Sequence, residues 1–324
     1  MPAGSGMSIR MSNLVFSLNA TVPLFLMMVI GYLLKKIGYV DASGASMMNK
    51  LVFRLFLPAL LFLDLAKEDF TAIWDGEMVL FCFVATVLSI LIAFLISLID
   101  RDRRERGEII QAAFRSGAAT LGIAFMLNIY DNATAAALMI IGSVPLYNVM
   151  SVIILSVTAQ DQNLNKLGVI KKTARNLVTN PIIISIALGM LWSLLRLPLP
   201  AIMNKSVTYL GNVASPLALI VLGSEFEFKA AGTKLKEIAV ASFAKLILFC
   251  VIFLPFAVML GFRDEKLVAI LIMLGSGTTT SSFIMAKNMG HEGVISSSVV
   301  MITTLLMSFT MTLWLCILRS LALI

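Results

Sequence analysis

An all-α polytopic membrane protein is the fold class that these 324 residues predict, and three observations predict it. The chain is 59% hydrophobic and only 13% charged, with a mean hydropathy of +0.97; a soluble domain carries about a quarter charged residues. Apolar runs long enough to cross about 30 Å of hydrocarbon recur along the chain. The two halves also repeat one another at a nearly constant offset.

Ten such runs follow in order, at 14–36, 45–65, 77–99, 108–130, 133–158, 173–196, 204–224, 235–260, 266–289 and 293–318. Their connections are short, so the chain reads as one membrane domain over 1–324. Met1 to Ser12 is too polar for a cleavable leader, and the run that follows is long enough to stay in the bilayer. Cys82, Cys250 and Cys316 lie inside apolar runs without metal-like spacing and read as packing residues. His291, the single histidine, falls in the loop between the last two runs and reads as solvated.

Basic residues gather in alternate loops. One set of loops, with Lys35, Arg104, Lys171, Lys234 and Lys287 among its members, holds fifteen Lys and Arg; the other set and both termini hold seven. The richer side is expected to be cytoplasmic, which places both termini outside the cell membrane. The net charge of +7 is spread over these short loops, so it orients the chain in a lipid bilayer and does not point to nucleic acid.

The internal repeat comes from spacing. Pro23 and Gly31 recur as Pro181 and Gly189, and Pro58 recurs as Pro216, each 158 residues on. With an offset of 160, Ser116-Gly117 falls on Ser276-Gly277 and Asn128 on Asn288. Five spans per half is an odd number, so the second half (173–318) enters the membrane opposite to the first (14–158). Inverted repeats of this kind are a signature of secondary transporters.

Within the repeat, the fourth span of each half is interrupted. Ser276-Gly277-Thr278-Thr279-Thr280 and Ser116-Gly117-Ala118-Ala119-Thr120 offer glycine, which weakens a helix, and hydroxyls, which bond to opened backbone. Irregular backbone survives at membrane depth only where protein or a wet cavity satisfies it. Helices broken there expose N–H groups that favour an anion. Ser116, Gly117, Thr120, Ser276, Gly277, Thr278 and Thr279 are therefore candidate substrate ligands. The alternative is close helix packing through small residues, which a pair of breaks at equivalent positions makes the weaker reading.

Ionisable residues at membrane depth mark function by default. Lys245 lies near the middle of the eighth span, as a charge-balancing cation or as a partner of carbonyls at a broken helix end. Arg115 precedes the first break, as a ligand for a carboxylate or as an anchor that reaches back to the cytoplasmic surface. Arg54 and Asp64 lie near opposite ends of the second span and read as boundary residues. In the fifth span, Pro145 interrupts the helix and Asn148 offers a donor and an acceptor. No Asp or Glu falls at the middle of any span, which argues against a central carboxylate relay.

Leu57-Pro58-Ala59-Leu60-Leu61-Phe62, Pro145-Leu146-Tyr147-Asn148, Asn180-Pro181, Ser215-Pro216-Leu217, Lys245-Leu246 and Thr303-Thr304-Leu305-Leu306-Met307-Ser308, in this order, resemble the auxin efflux carrier family in its shorter prokaryotic branch. The resemblance implies a 5+5 inverted repeat with crossing helices 4 and 9 and an elevator mechanism in a homodimer. It implies a scaffold of 14–65 and 173–224, and a transport domain of 77–158 and 235–318. Substrates across the family are organic anions, among them malate and malonate. Where the family has Pro or Asn at the crossing, this chain has Ser116-Gly117 and Gly277, and so lacks one amide donor.

The sequence thus predicts a carrier of a small carboxylate, uniporting or ion-coupled, with sodium and protons both open as the coupled ion and no resident cofactor. A sodium symporter using the hydroxyls and backbone carbonyls around Thr278–Thr280, and a membrane receptor without transport, are the alternatives. An enzyme is the weakest reading, because His291 has no cysteine or carboxylate cluster to form a metal site or triad.

Overall fold

The computed structural model describes residues 3–67, 75–118, 125–127, 129–130, 134–159 and 166–324. Regular structure among them is helical throughout. The elements are α1 (Ala3–Lys36), α2 (Ala42–Ala66), α3 (Gly76–Ser97), α4 (Arg103–Phe114), α5 (Thr134–Thr158), α6 (Lys166–Thr179) and α7 (Pro181–Leu194). They continue as α8 (Ala201–Glu225), α9 (Phe228–Thr233), α10 (Leu235–Met259), α11 (Asp264–Gly275), α12 (Ser281–Asn288) and α13 (Val294–Ser320).

Six of these, α2, α3, α5, α8, α10 and α13, are each long and apolar enough to cross a membrane. Helices α6 and α7 make a seventh such stretch, bent by 56° at Asn180, whose side chain accepts from the Ile182 N–H and caps α7 ahead of Pro181. The runs expected at 108–130 and 266–289 are not single helices: α4 stops at Phe114, and α11 stops at Gly275 before α12 resumes. Exposed Leu80, Phe83, Leu91, Phe94 and Leu95 along α3, like Phe309 and Leu313 on α13, give the surface a lipid-facing character.

Helix α1 packs on α8 and α13, α2 on α7 and α8, and α3 on α4 and α5. Close approach depends on glycine. A Cβ at Gly31 would stand 2.1 Å from the Ile220 carbonyl oxygen, and one at Gly189 2.8 Å from that of Phe62. Gly189 lies 158 residues after Gly31, and Ile220 lies 158 after Phe62. Each half therefore lays its glycine on the other half's corresponding residue.

Two helices widen locally. A π-helical turn at Val52–Phe56 in α2 sits just before Pro58, whose ring excludes the usual bond to the carbonyl four residues back. The second, at Ala244–Leu248 in α10, carries Lys245.

The ends of the bundle are chemically distinct. Lys35, Lys50, Arg54, Glu225, Glu227 and Lys287 line one vestibule of ≈ 490 Å³, and Arg54 and Asn288 also border a neighbouring one of ≈ 850 Å³. At this basic end Lys287 pairs with Glu225 at 3.0 Å, Lys234 pairs with Glu105, and Asn288 bonds to Asn49. The hydrogen bond from Lys234 is the largest influence holding that ammonium above its usual range. At the opposite end Lys266 meets Asp75 at 2.5 Å.

His291 is not the solvated loop residue that its position suggests. It is buried, with Nδ1 3.1 Å from the Arg104 carbonyl and Nε2 3.1 Å from the Leu155 carbonyl. Glu108, at the start of the fourth run, is also buried. Its two carboxylate oxygens accept from the N–H groups of Gly293 at 2.7 Å and Ser296 at 3.0 Å, so α4 caps the amino end of α13. Cys82, Cys250 and Cys316 are free thiols, the first two buried.

Candidate functional site

The two interruptions meet. Past Phe114 the backbone turns extended at Arg115, and past Gly275 it does so at Ser276. The Gly117 N–H donates to the Gly277 carbonyl at 2.9 Å, and the Ser116 and Ser276 hydroxyls lie 2.5 Å apart. Opened peptide groups find partners nearby, as burial requires. Ala118 N–H donates to Ser116 Oγ, Thr278 N–H donates to Thr303 Oγ1, and Thr278 Oγ1 donates to the Ala112 carbonyl. The Ser116 and Thr278 hydroxyls thus serve backbone groups at the breaks, while Ser276 and Thr279 pair with other hydroxyls.

Lys245 is fully buried, and its Nζ donates to the carbonyls of Met273 at 3.2 Å and Leu274 at 3.0 Å. Those carbonyls close α11, where the helix dipole is negative. The ammonium is the helix-end partner that the sequence reading offered as one of two roles. It lines neither cavity at the crossing.

Arg115 is likewise buried, at 3% exposure, with its guanidinium enclosed by protein. Its Nη2 donates to Asn148 Oδ1 at 2.5 Å and its Nη1 lies 2.5 Å from Met285 Sδ. Asn148 Nδ2 donates to the Val144 carbonyl at 2.9 Å, one turn back on α5, so the amide is fixed with its oxygen toward the guanidinium. Both of these Arg115 partners are neutral. A desolvated guanidinium with no bonded carboxylate among the described residues is a strong feature for recognising an anion.

Two small cavities flank the crossing. One, of ≈ 40 Å³, is bordered by Arg115, Ser116, Gly117, Tyr147, Asn148, Thr279 and Ser281, with Asp64 and Ser215 from α2 and α8. The other, of ≈ 60 Å³, is bordered by Gly117, Gly277, Thr278, Thr279, Thr280, Thr304 and Ser215. A water needs roughly 10–15 Å³ of such space, so each has room for a few water-sized groups. Helix α12 begins at Ser281, directing its amino end toward this region.

Of the candidate residues, the structure brings Arg115, Ser116, Gly117, Asn148, Gly277, Thr278 and Thr279 to the two cavities and ties Ser276 to Ser116. Thr120 lies outside the described residues. Asp64 and Ser215 border the site although the sequence reading gave them boundary and scaffold roles. Their repeat-relative positions gave no sign, because neither sits in an interrupted span.

Comparison with known proteins points to membrane transport. A family model described as "Membrane transport protein" matches residues 16–315. A Methanothermobacter thermautotrophicus protein named "Uncharacterized transporter" is 20% identical over 304 residues, covering 92% of this chain and 97% of its own length. A Rhizobium meliloti protein named "Putative malonate transporter" is 26% identical over 314 residues, covering 92% of this chain and 95% of its own. With broken helices meeting at a buried arginine and a family match over nearly its whole length, the chain belongs to the membrane transport protein family, that of the auxin efflux carriers which its motifs resemble.

Proposed function

We propose that the protein is a secondary transporter or uniporter that moves a small carboxylate anion across the cell membrane by elevator-type alternating access. The observation that carries this reading is the Arg115 guanidinium, buried at the meeting of the two breaks and held by neutral partners. An anion arriving there finds a desolvated cation and the amino end of α12. The name of the Rhizobium relative supports a carboxylate as the cargo.

The ten-span, 5+5 arrangement belongs to this proposal. It is supported by the Gly31–Ile220 and Gly189–Phe62 approaches, related by the repeat offset. In it the scaffold (14–65 and 173–224) dimerises in the bilayer, while the transport domain (77–158 and 235–318) carries the crossing. Both termini face outward. Lys287–Glu225 and Asn288–Asn49 join the two parts at the basic end, and both links must open as the transport domain moves.

A thermal-shift screen of mono- and dicarboxylates on purified protein, with and without sodium, tests binding. Flux of the stabilising anion into proteoliposomes then tests transport. Stabilisation without flux would replace the carrier by a receptor. Flux that requires sodium would favour symport, for which the uncharged oxygens of Thr278, Thr279 and Thr280 around one cavity are the specific support.

A further inference from the structure

The two small cavities at the crossing differ in chemistry. Arg115 borders the ≈ 40 Å³ one, whereas the ≈ 60 Å³ one has no charged side chain among the described residues of its wall. Gly117, Ser215, Thr279 and Thr280 border both, so the two spaces adjoin. The second cavity also has three apolar side chains in its wall: Leu24 of α1, Leu219 of α8 and Met307 of α13. Two of the hydroxyls that line it are already engaged. Thr278 Oγ1 donates to the Ala112 carbonyl, and Thr279 Oγ1 lies 3.2 Å from Ser281 Oγ.

The apolar part of this wall is firmly set. One turn beyond Leu24 and Leu219, α1 and α8 touch backbone to backbone, and a Cβ at Gly223 would stand 1.9 Å from the Met28 carbonyl oxygen. Leu219 is buried, and Met307 Sδ accepts from the Gly277 N–H at 3.3 Å. Side chains packed in this way do not give room for extra methylenes without strain. At roughly 10–15 Å³ for each water-sized group, the ≈ 60 Å³ space admits only a few carbons. A carboxylate held at Arg115 has this adjoining space for the rest of its length.

We infer that the ≈ 60 Å³ cavity receives the uncharged tail of the cargo, and that Leu24, Leu219 and Met307 set the length of that tail. The substrate class is then the short-chain aliphatic carboxylates. The inference rests on the carboxylate-transport reading above and adds to it a limit on size. Each methylene gains affinity by leaving water until the chain meets the wall, and beyond that length the wall rejects it.

The test is isothermal titration of the intact, purified protein with acetate, butyrate, hexanoate and malonate, in buffers with and without sodium. Each methylene that fits should tighten binding about two- to fourfold. The wild type should therefore prefer butyrate to acetate, and should bind hexanoate at least tenfold more weakly than butyrate. Leu24→Ala and Leu219→Ala deepen the cavity, and each should raise the hexanoate-to-butyrate affinity ratio at least tenfold. Leu24→Phe fills it and should reverse the preference for butyrate over acetate. Melting of the ligand-free variants shows which of them fold. Leu24 is only half-buried, so its two variants decide the matter if Leu219→Ala does not fold. A wild type that binds hexanoate as tightly as butyrate, or folded Leu24 variants that leave the ratios unchanged, overturns the inference and leaves the transport reading standing. Binding of malonate with none of the three linear acids has the same consequence. Absence of binding by all four, with and without sodium, overturns the two together.

Discussion

The backbone N–H of Gly117 donates to the carbonyl oxygen of Gly277 across 160 residues of sequence, at 2.9 Å. This bond joins the two interrupted stretches directly, main chain to main chain, and leaves little room for side chains there. A Cβ at Gly277 would lie 3.2 Å from both Met307 Sδ and the Thr303 carbonyl oxygen. Gly277→Ala should therefore cost about 1–3 kcal/mol by overpacking, seen as a lower melting temperature in detergent. Gly277→Leu should also abolish carboxylate-induced stabilisation in the thermal-shift screen.

Asn148 has its amide nitrogen on the Val144 carbonyl and its oxygen on Arg115. Asn148→Ala frees the guanidinium to move, and carboxylate affinity should fall at least tenfold while the ligand-free protein stays folded. Arg115→Gln removes the cation itself and should abolish binding. Titration of both variants with the anion that stabilises the wild type checks this, and retained affinity in both would displace the site from the crossing.

Lys245 makes a different prediction because it bonds helix-end carbonyls and borders no cavity. Lys245→Met leaves the carbonyls of Met273 and Leu274 without their donor, a loss of about 1–3 kcal/mol. Melting should drop accordingly, whereas the affinity of the folded fraction should change less than threefold. A variant of normal stability that has lost binding would make Lys245 a ligand instead.

Asp75 governs acid behaviour at the end opposite the vestibules. Its carboxyl is held below the usual range, first by the hydrogen bond from Lys266 and then by the Met78 N–H at the start of α3. A carboxyl lowered in the folded state adds stability that is complete above its unfolded pKa, near 3.9, and is lost as pH falls through the lower folded value. Asp75→Asn should flatten the fall in melting temperature below about pH 4. Asp75→Ala, which also loses the helix cap, should cost about 1 kcal/mol at neutral pH.

Several features of the site were legible in the sequence because they break a rule of the bilayer. Glycine and hydroxyl clusters at 116–120 and 276–280 have no reason to interrupt apolar runs unless the backbone opens, and at Arg115 and Ser276 it does. Lys245 was legible for the same reason, as a charge that hydrocarbon cannot hold unpaired. His291 and Glu108 were not. Both sit near the ends of apolar runs, where a polar residue costs nothing in water, and only the packing of α4, α5 and α13 turns them inward.

By itself, the sequence determined that this is a helical membrane protein with several stretches long and apolar enough to cross, and which loops carry the excess of positive charge. Those follow from transfer free energies, which depend on composition and length alone. Tertiary structure decided which groups meet: the Arg115 guanidinium lies against Asn148 and Met285, and Asp64, from a separate helix, borders the same cavity as Arg115. In lipid both faces of a helix are apolar, so periodicity does not reveal which side is buried. The partner of a buried charge is fixed by helix packing, not by the pattern along the chain.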